Sequence, residues 1–518
     1  MRVRRGGDEM ITRRRLISAG SALAGGFGLI GESPAIASAV PWTDLADAIS
    51  GTIVLPGDSA YLGLATPAAL NYLQVSPRAV CLPHSAKDIS TIIAFAREQR
   101  IGLRVRGGGH SYAGYSTTDG IQLDLSGMRG CSYDARTETV DMQGGVRGID
   151  AASVLERTQR WIPAGNCPGV GIAGFVQGGG FGFYMGEAGL GCDNLVEAEL
   201  VTASGTTVIA SEQGAADLLW ALRGGGGGNF GVISRLRLRT FTTERPSSVC
   251  MVIWRGTPPN LLIARLRDMI EGTGDELTWH FTCDATSPYN IAGSSLPQVT
   301  LLCHGFTDAT RIVEALAPVV AAHPPALSVV RDLPFWDSHR FLSGNHLPEN
   351  GLWYVKSLFL PGPLRPEAIE VVAQAAAQWP GSSIGRSGTG LIPWKGRATE
   401  APAGATAFVH RESGYLAVIQ TCWGNRDPAS VIDAGRQWAE RTYAQLSPFS
   451  TGGSYQNWID PNLPDPAKAY YGSNLPRLAA VKLQVDPTDF FSIPGGVPRG
   501  IPGGSPGRDP GRDGSDPA

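Results

Sequence analysis

Among the eight cysteines of this 518-residue chain (Cys81, Cys131, Cys167, Cys192, Cys250, Cys283, Cys303 and Cys422) no two form a CxxC pair. That argues against a zinc site, and no metal is expected. The scatter leaves disulfide pairing undetermined. A strong charge of either sign is missing too: the net charge is -3, so neither nucleic acid nor an anionic membrane is expected as a partner. No apolar run is long enough for a stable membrane span, because the stretch Ser18–Gly31 is short and glycine-rich. What remains is an ordinary soluble composition, 42% hydrophobic and 17% charged, long enough for two or three cores. Its unusual feature is 68 glycines, which imply many positions of positive φ or close backbone approach.

The N-terminus carries Thr12-Arg13-Arg14-Arg15-Leu16-Ile17, then the uncharged stretch, then alanines at 35, 37 and 39. This reads as a twin-arginine export signal over residues 1–39, so a secreted protein is expected. Downstream, a helical pattern at Asp88–Gln99 leads into a strand at Ile101–Val105. Short strands follow at Ile121–Leu125, Thr139–Gln143, Val196–Val201 and Val232–Leu238. From about Ser247 strand patterns at Val249–Trp254, Leu277–Cys283, Val299–Cys303, Trp353–Leu360, Thr406–His410 and Tyr415–Thr421 alternate with helical ones. The helical patterns lie at Asn260–Ile270, Ala309–Ala322, Pro366–Gln378 and Ala429–Gln445. A second α+β domain with an antiparallel sheet backed by helices is implied. The final Gly/Pro-rich stretch, 497–518, reads as a disordered tail.

Three glycine clusters stand out. In Arg106-Gly107-Gly108-Gly109-His110-Ser111 a strand runs into a nest able to gather backbone N–H groups on a pyrophosphate, and no helix follows, unlike a nicotinamide-binding Rossmann turn. The second, Gly165-Asn166-Cys167-Pro168-Gly169-Val170-Gly171 through Gly174 and Gly178, locks a cysteine in a turn, where a reactive thiol is plausible. The third, Gly224–Gly228 and Asn229, lies between a helical apolar face and a strand, and reads as a ligand-facing loop.

Together these clusters resemble the berberine-bridge-enzyme-like branch of the vanillyl-alcohol-oxidase (PCMH-type) FAD-linked oxidases. So does the closing segment Tyr455-Gln456-Asn457-Trp458, Tyr470-Tyr471-Gly472-Ser473-Asn474 and Phe490-Phe491-Ser492-Ile493-Pro494. The resemblance spans about residues 77–494. It implies an α+β fold: a PCMH-type FAD-binding domain of two α/β subdomains at 75–245, a substrate domain at 246–450, and a C-terminal segment, 451–496, returning to the FAD domain. It implies covalent FAD bonded through His110 to the 8α-methyl and through Cys167 to C6. The other expected cofactor contacts are Arg106, Gly107, Gly108, Gly109, Ser111, Gly145, Gly165, Val170, Gly171, Gly174, Gly178, Val232, Tyr455 and Asn457. Val170 stands where family oxidases tend to carry valine, implying an oxidase that takes hydride from a sugar or secondary-metabolite hydroxyl and reduces O2 to H2O2. The alternatives are a dehydrogenase with another acceptor, or a silent flavin-binding protein. The family's usual tyrosine base is replaced by Trp458, whose indole can only donate. The glutamate that plant members use aligns with Leu416. Tyr455, Tyr354 and Glu412 are therefore the candidate bases. Phe175 replaces a histidine of plant members, and Phe181 a tyrosine of some sugar oxidases.

Overall fold

Among the described residues the chain forms, in sequence order, sheets of four, five and seven strands, with one two-stranded ribbon. The computed structural model describes residues 40–286, 297–344, 350–384 and 387–500. The expected leader and residues 501–518 lie outside the described residues.

The first sheet has the order β1 (Thr52–Val54), β2 (Ala79–Leu82), β4 (Ile121–Asp124), β3 (Leu103–Arg106). β4 runs parallel to both of its neighbours. The link between β2 and β3 is the helix Ala86–Glu98, where Ser85 Oγ accepts from Asp88 N–H as an N-cap. Ile89, Ile92, Ile93 and Ala96 bury its inner face at 0% exposure, the i, i+3, i+4, i+7 spacing of one helical stripe. This sheet begins at Thr52, earlier than the boundary at 75 expected from the sequence, because Thr52–Val54 pairs with Val80–Leu82.

The second sheet is antiparallel, with β5 (Cys131–Asp134), β6 (Thr139–Gln143), β8 (Leu195–Val201), β9 (Thr207–Ala210) and β10 (Val232–Arg239) in the order β5-β6-β10-β8-β9. A short ribbon pairs β7 (Arg160–Trp161) with β11 (Phe241–Thr242).

The third sheet contains β12 (Ser248–Arg255), β13 (Leu277–Thr286), β14 (Gln298–Gly305), β15 (Leu327–Asp332), β16 (Leu352–Leu360), β17 (Ser387–Pro393) and β18 (Tyr415–Trp423). Their order is β15-β12-β14-β13-β17-β18-β16, and every pairing is antiparallel. Helices Pro259–Glu271, Ala309–Ala322, Pro366–Ala377 and Ala429–Leu446 cover one face. Trp254, Trp279, Phe281, Leu301, Leu358, Leu391 and Ile419 pack beneath them, each large apolar side chain stabilising the fold by roughly 1.5–3 kcal/mol. The chain is thus α+β, as the sequence implied.

Two elements differ from expectation. Thr406–His410 forms no strand: Ala407 and Phe408 donate their N–H groups to Trp220 O and Arg223 O, satisfying the C-terminal end of helix Ala216–Leu222. The strand pattern also missed β17, Ser-Gly-Thr-Gly-Leu-Ile-Pro, which is buried throughout between β13 and β18. Its glycines and proline carry no strand propensity, and tertiary pairing overrides that. The ordered chain also continues past the tail boundary expected at 497, since Val497 is buried and donates its N–H to Asn229 Oδ1 at 2.9 Å.

Candidate active site

The first two glycine clusters interlock. A Cβ on Gly108 would stand 2.2 Å from Gly171 N and 2.4 Å from Gly169 O, and one on Gly171 would stand 2.4 Å from Gly108 N. Only bare backbone allows the loops to cross this closely. The crossing places His110, two residues after Gly108, and Cys167, two before Gly169, on loops in mutual contact. Both side chains are half-buried. The cysteine loop is fixed from below: Ile149 and Gly148, at the start of helix Gly148–Leu155, donate to Pro168 O at 2.9 Å and Val170 O at 3.0 Å.

The third cluster joins through Gly227, whose Cβ would lie 3.6 Å from Gly174 Cα. A Cβ on Gly174 itself would meet nothing within 4 Å, so Gly174 faces open space. Around this region the side-chain oxygens of Asn166, Gln177, Gln456 and Thr117 are buried without a hydrogen-bond partner among the described residues. Unsatisfied buried acceptors beside glycine-walled space fit a large planar ligand that carries N–H and O–H donors.

The C-terminal segment closes the same region. Asn457 packs on Gly178 and donates to Phe175 O at 2.8 Å. Gln456 Nε2 donates to Gly224 O at 2.7 Å. Lys482 Nζ donates to Asn229 O at 2.7 Å and pairs with Asp486 at 2.7 Å, both side chains of that pair being 0% exposed. Trp458 stands edge-on to Phe181 at 5.2 Å, and with Tyr112 it packs against Ala69, Trp353, Val355 and Cys422. Tyr112 in turn packs on Trp353 at 5.7 Å. Beside these rings a cavity of about 600 Å³ opens at the β16 edge of the third sheet, lined by Tyr72, Tyr112, Trp353, Tyr354, Arg436 and Glu440 among others.

Two family models match the chain: one described as "FAD binding domain" over residues 77–211 and one described as "Berberine and berberine like" over residues 454–498. The chain carries both of these domains, and it is an FAD-linked oxidoreductase. It is similar to the uncharacterized FAD-linked oxidoreductase YvdP of Bacillus subtilis, 27% identical over 87% of this chain and 98% of the relative. It is also similar to the xylooligosaccharide oxidase of Thermothelomyces thermophilus, 29% identical over 82% of this chain and 88% of that protein. Among solved structures, BBE-like 1 of Physcomitrella patens superposes with a TM-score of 0.79 at 25% identity, covering 88% of this chain and 98% of that one. FAD is accordingly the cofactor that the glycine-walled region would hold.

In this oxidoreductase several expected site residues have other work. The Arg106 guanidinium donates to Leu64 O at 2.6 Å and to Thr66 O, and pairs with Asp124 at 3.7 Å, so it braces the nest instead of pointing from it. Ser111 Oγ accepts from Tyr115 N–H at 3.0 Å and closes the turn after His110. Gly145 is required by packing, since a Cβ there would lie 1.8 Å from Leu125 O. Val232 is fully buried in β10 opposite Val201. Gly109 adopts φ +78 directly over the Arg106 guanidinium. Gly165 and Gly180 both receive the Phe175 ring.

None of the three candidate bases is placed to act. The Tyr455 hydroxyl accepts from Gly180 N at 2.9 Å and Asn457 Nδ2 at 3.0 Å, and burial pushes its phenol far above the usual range. Tyr354 projects to the helix-covered face of the third sheet, where its hydroxyl donates to Glu440. Burial, then that carboxylate, raises its phenol well above normal. Glu412 is exposed just before β18, whose first residue pairs with Leu360. That is six residues along β16 from Tyr354, or about 20 Å. Leu416 is sealed among Phe359, Phe408 and Tyr455 and offers no proton acceptor. What the sequence reading passed over is the polar alternation His280, Thr282, Asp284 in β13. That period-two signal was legible once the strand was drawn.

Proposed function

We propose that the chain is an exported FAD-dependent oxidase that converts a hydroxyl-bearing carbon to a carbonyl, with FAD held covalently by His110 and Cys167 and O2 reduced to H2O2. The observation that carries this reading is the backbone crossing at Gly108, Gly169 and Gly171, which brings two separate candidate attachment residues to one place. Bound FAD supplies the hydride acceptor, and the protein supplies orientation and surroundings. Gly174 and Gly227 wall the space. Asn166, Gln177 and Gln456 offer acceptors to the ligand's donors, and Asn457 with Tyr455 holds the Gly178–Phe181 turn. Phe181, Trp458 and Trp353 surround the reacting region with aromatic surface that excludes water. A hydroxyl-bearing substrate is supported by the likeness to the xylooligosaccharide oxidase, oxygen use by Val170, and export by the twin-arginine pattern at Arg13-Arg14.

The test is acid precipitation of purified protein followed by a flavin spectrum of the pellet. Wild type should retain yellow pellet-bound flavin, as should the single variants His110→Ala and Cys167→Ala. The double variant should release it all. A colourless wild-type pellet would end the covalent reading. Reduction by an alcohol followed by slow reoxidation in air would replace the oxidase with a dehydrogenase.

A further inference from the structure

β13 crosses the middle of the third sheet, with β14 on one side and β17 on the other. A central strand of a fully packed sheet is sealed on both faces. Here Trp279, Phe281 and Cys283 are sealed under the helices, but His280, Thr282 and Asp284 on the opposite face are only half-buried. Val418 and Gln420 of β18 are half-buried on that same face. Between the two strands β17 presents Gly390, opposite Thr282 and Val418, and Gly388, opposite Asp284 and Gln420. The result is a shallow recess above Gly388, with a carboxyl on one side and an amide on the other, closed at Gly390 by Val418, whose Cγ1 stands 2.7 Å from where a Cβ would be. The two flanking strands are about 10 Å apart, two strand spacings. Phe183 stacks on His280 at 3.9 Å, Phe181 lies 6.0 Å from His280, and Trp458 packs with Val418, so the recess opens toward the aromatic surface of the active site.

The carboxyl is held in one orientation. Asp284 Oδ2 accepts from Thr282 Oγ1 at 2.7 Å and from Thr300 Oγ1 at 3.4 Å. Thr300 accepts from Gln298 Nε2 at 3.0 Å, and Gln298 Oε1 accepts from Arg255 Nε at 2.8 Å. Oδ1 is turned over the glycine floor, 2.8 Å from where a Cβ on Gly388 would be. A second group in the recess also calls for a ligand: His280 Nε2 is buried with no hydrogen-bond partner among the described residues. We propose that Asp284 is the residue that contacts the reacting hydroxyl of the substrate and takes up its proton. It would do the work that an indole at position 458 cannot do.

This assignment rests on the oxidase reading above. The substrate O–H bond breaks and its proton forms a new O–H bond on Asp284 Oδ1. The pair left on oxygen becomes the second bond of the carbonyl, while the carbon gives up its hydrogen with both electrons to the oxidant, FAD. Asp284 then returns the proton to solvent. Burial pushes the Asp284 carboxyl up to about 7, against the opposing hydrogen bonds from Thr282 and Thr300. A base of that strength suits proton transfer near neutral pH. Among the described residues, burial depresses His280 to about 3, leaving it neutral, and Arg255 reaches the carboxyl's hydrogen-bond network through Gln298. The direction follows: below about pH 7 the carboxyl is protonated and cannot accept, so turnover falls as pH drops and levels off above.

The experiment uses flavin-loaded protein with xylobiose as probe. It combines anaerobic flavin reduction across pH with infrared detection of the protonated carboxyl stretch. Wild type should show a band that titrates near pH 7 and shifts on adding xylobiose, and a reduction rate with the same midpoint. Asp284→Asn should lose the band and slow reduction by about 10²–10⁴-fold with the flavin spectrum kept. Thr282→Val, which removes one stabilising hydrogen bond, should move both midpoints upward. If Asp284→Asn reduces flavin within threefold of wild type, or weakens xylobiose binding without slowing reduction, the assignment is overturned. If wild type is not reduced but the band titrates near pH 7 and responds to xylobiose, the oxidase reading fails and the Asp284 contact stands. A band that does not respond to the sugar overturns the contact.

Discussion

The Tyr455 hydroxyl sits 1% exposed and accepts two N–H donors from the Gly180 and Asn457 positions. A phenol so placed organises a turn and has no access to a substrate proton. Tyr455→Phe removes the acceptor and leaves the Gly180 N–H buried and unpaired, a cost of about 1–3 kcal/mol. Denaturant unfolding should show that loss, while kcat in flavin-loaded protein should change by less than tenfold. A thousandfold fall in kcat with the flavin and fold intact would restore Tyr455 as the base. The same logic separates Asp284 from Glu412. Both are carboxylates on or beside strands of one sheet, but only Asp284 is desolvated, oriented and turned toward a recess.

At the scale of elements, two glycines of one loop system make opposite demands. Gly108 has backbone pressed against it, and Gly174, inside the helix Ile172–Gln177, has open space. Gly108→Ala forces a methyl to 2.2 Å from Gly171 N, so the loops must part. The melting temperature should drop, and flavin loading should fall with it. Gly174→Ala should behave differently. In a helix it gains about 0.5–1 kcal/mol from backbone entropy, so apoprotein stability should hold or rise while flavin uptake falls. Equal flavin loading of Gly174→Ala and wild type would show that the open space beside Gly174 is not where the cofactor lies.

Over the whole molecule the C-terminal segment ties the three sheets' junction together. Lys482 reaches Asn229 O in the third glycine cluster and also pairs with Asp486. Val497 returns to Asn229 Oδ1, and Arg411, 1% exposed, pairs with Asp193 across the 190–194 turn. Lys482→Ala leaves the Asp486 carboxylate buried without its cation, which costs about 3–5 kcal/mol. Limited proteolysis should then release the C-terminal segment at protease concentrations that leave wild type whole, and flavin retention should fall in parallel. Undiminished protease resistance would mean that the remaining bonds, from Gln456 to Gly224, Asn457 to Phe175 and Val497 to Asn229, hold the segment.

Much of this was legible without coordinates. Helix Ala309–Ala322 and strand Thr139–Gln143 fall where apolar periodicity put them, because amphipathic burial is written in residue spacing. The glycine clusters were legible for the same local reason, as backbone that must approach something closely. β17 was not, because its place in the sheet comes from β13 and β18 on either side, and a Ser-Gly-Thr-Gly run has no local preference for it. Nor were the roles of Arg106, Gly145, Tyr354 and Tyr455, since each is decided by a partner distant in sequence: Leu64, Leu125, Glu440 and Gly180. The sequence by itself carried the resemblance, the FAD cofactor and the residues that could anchor it, because those depend on residue type in short motifs. Only the tertiary structure decided which carboxyl faces the site, because burial and orientation are properties of the surfaces that strands present after they pair.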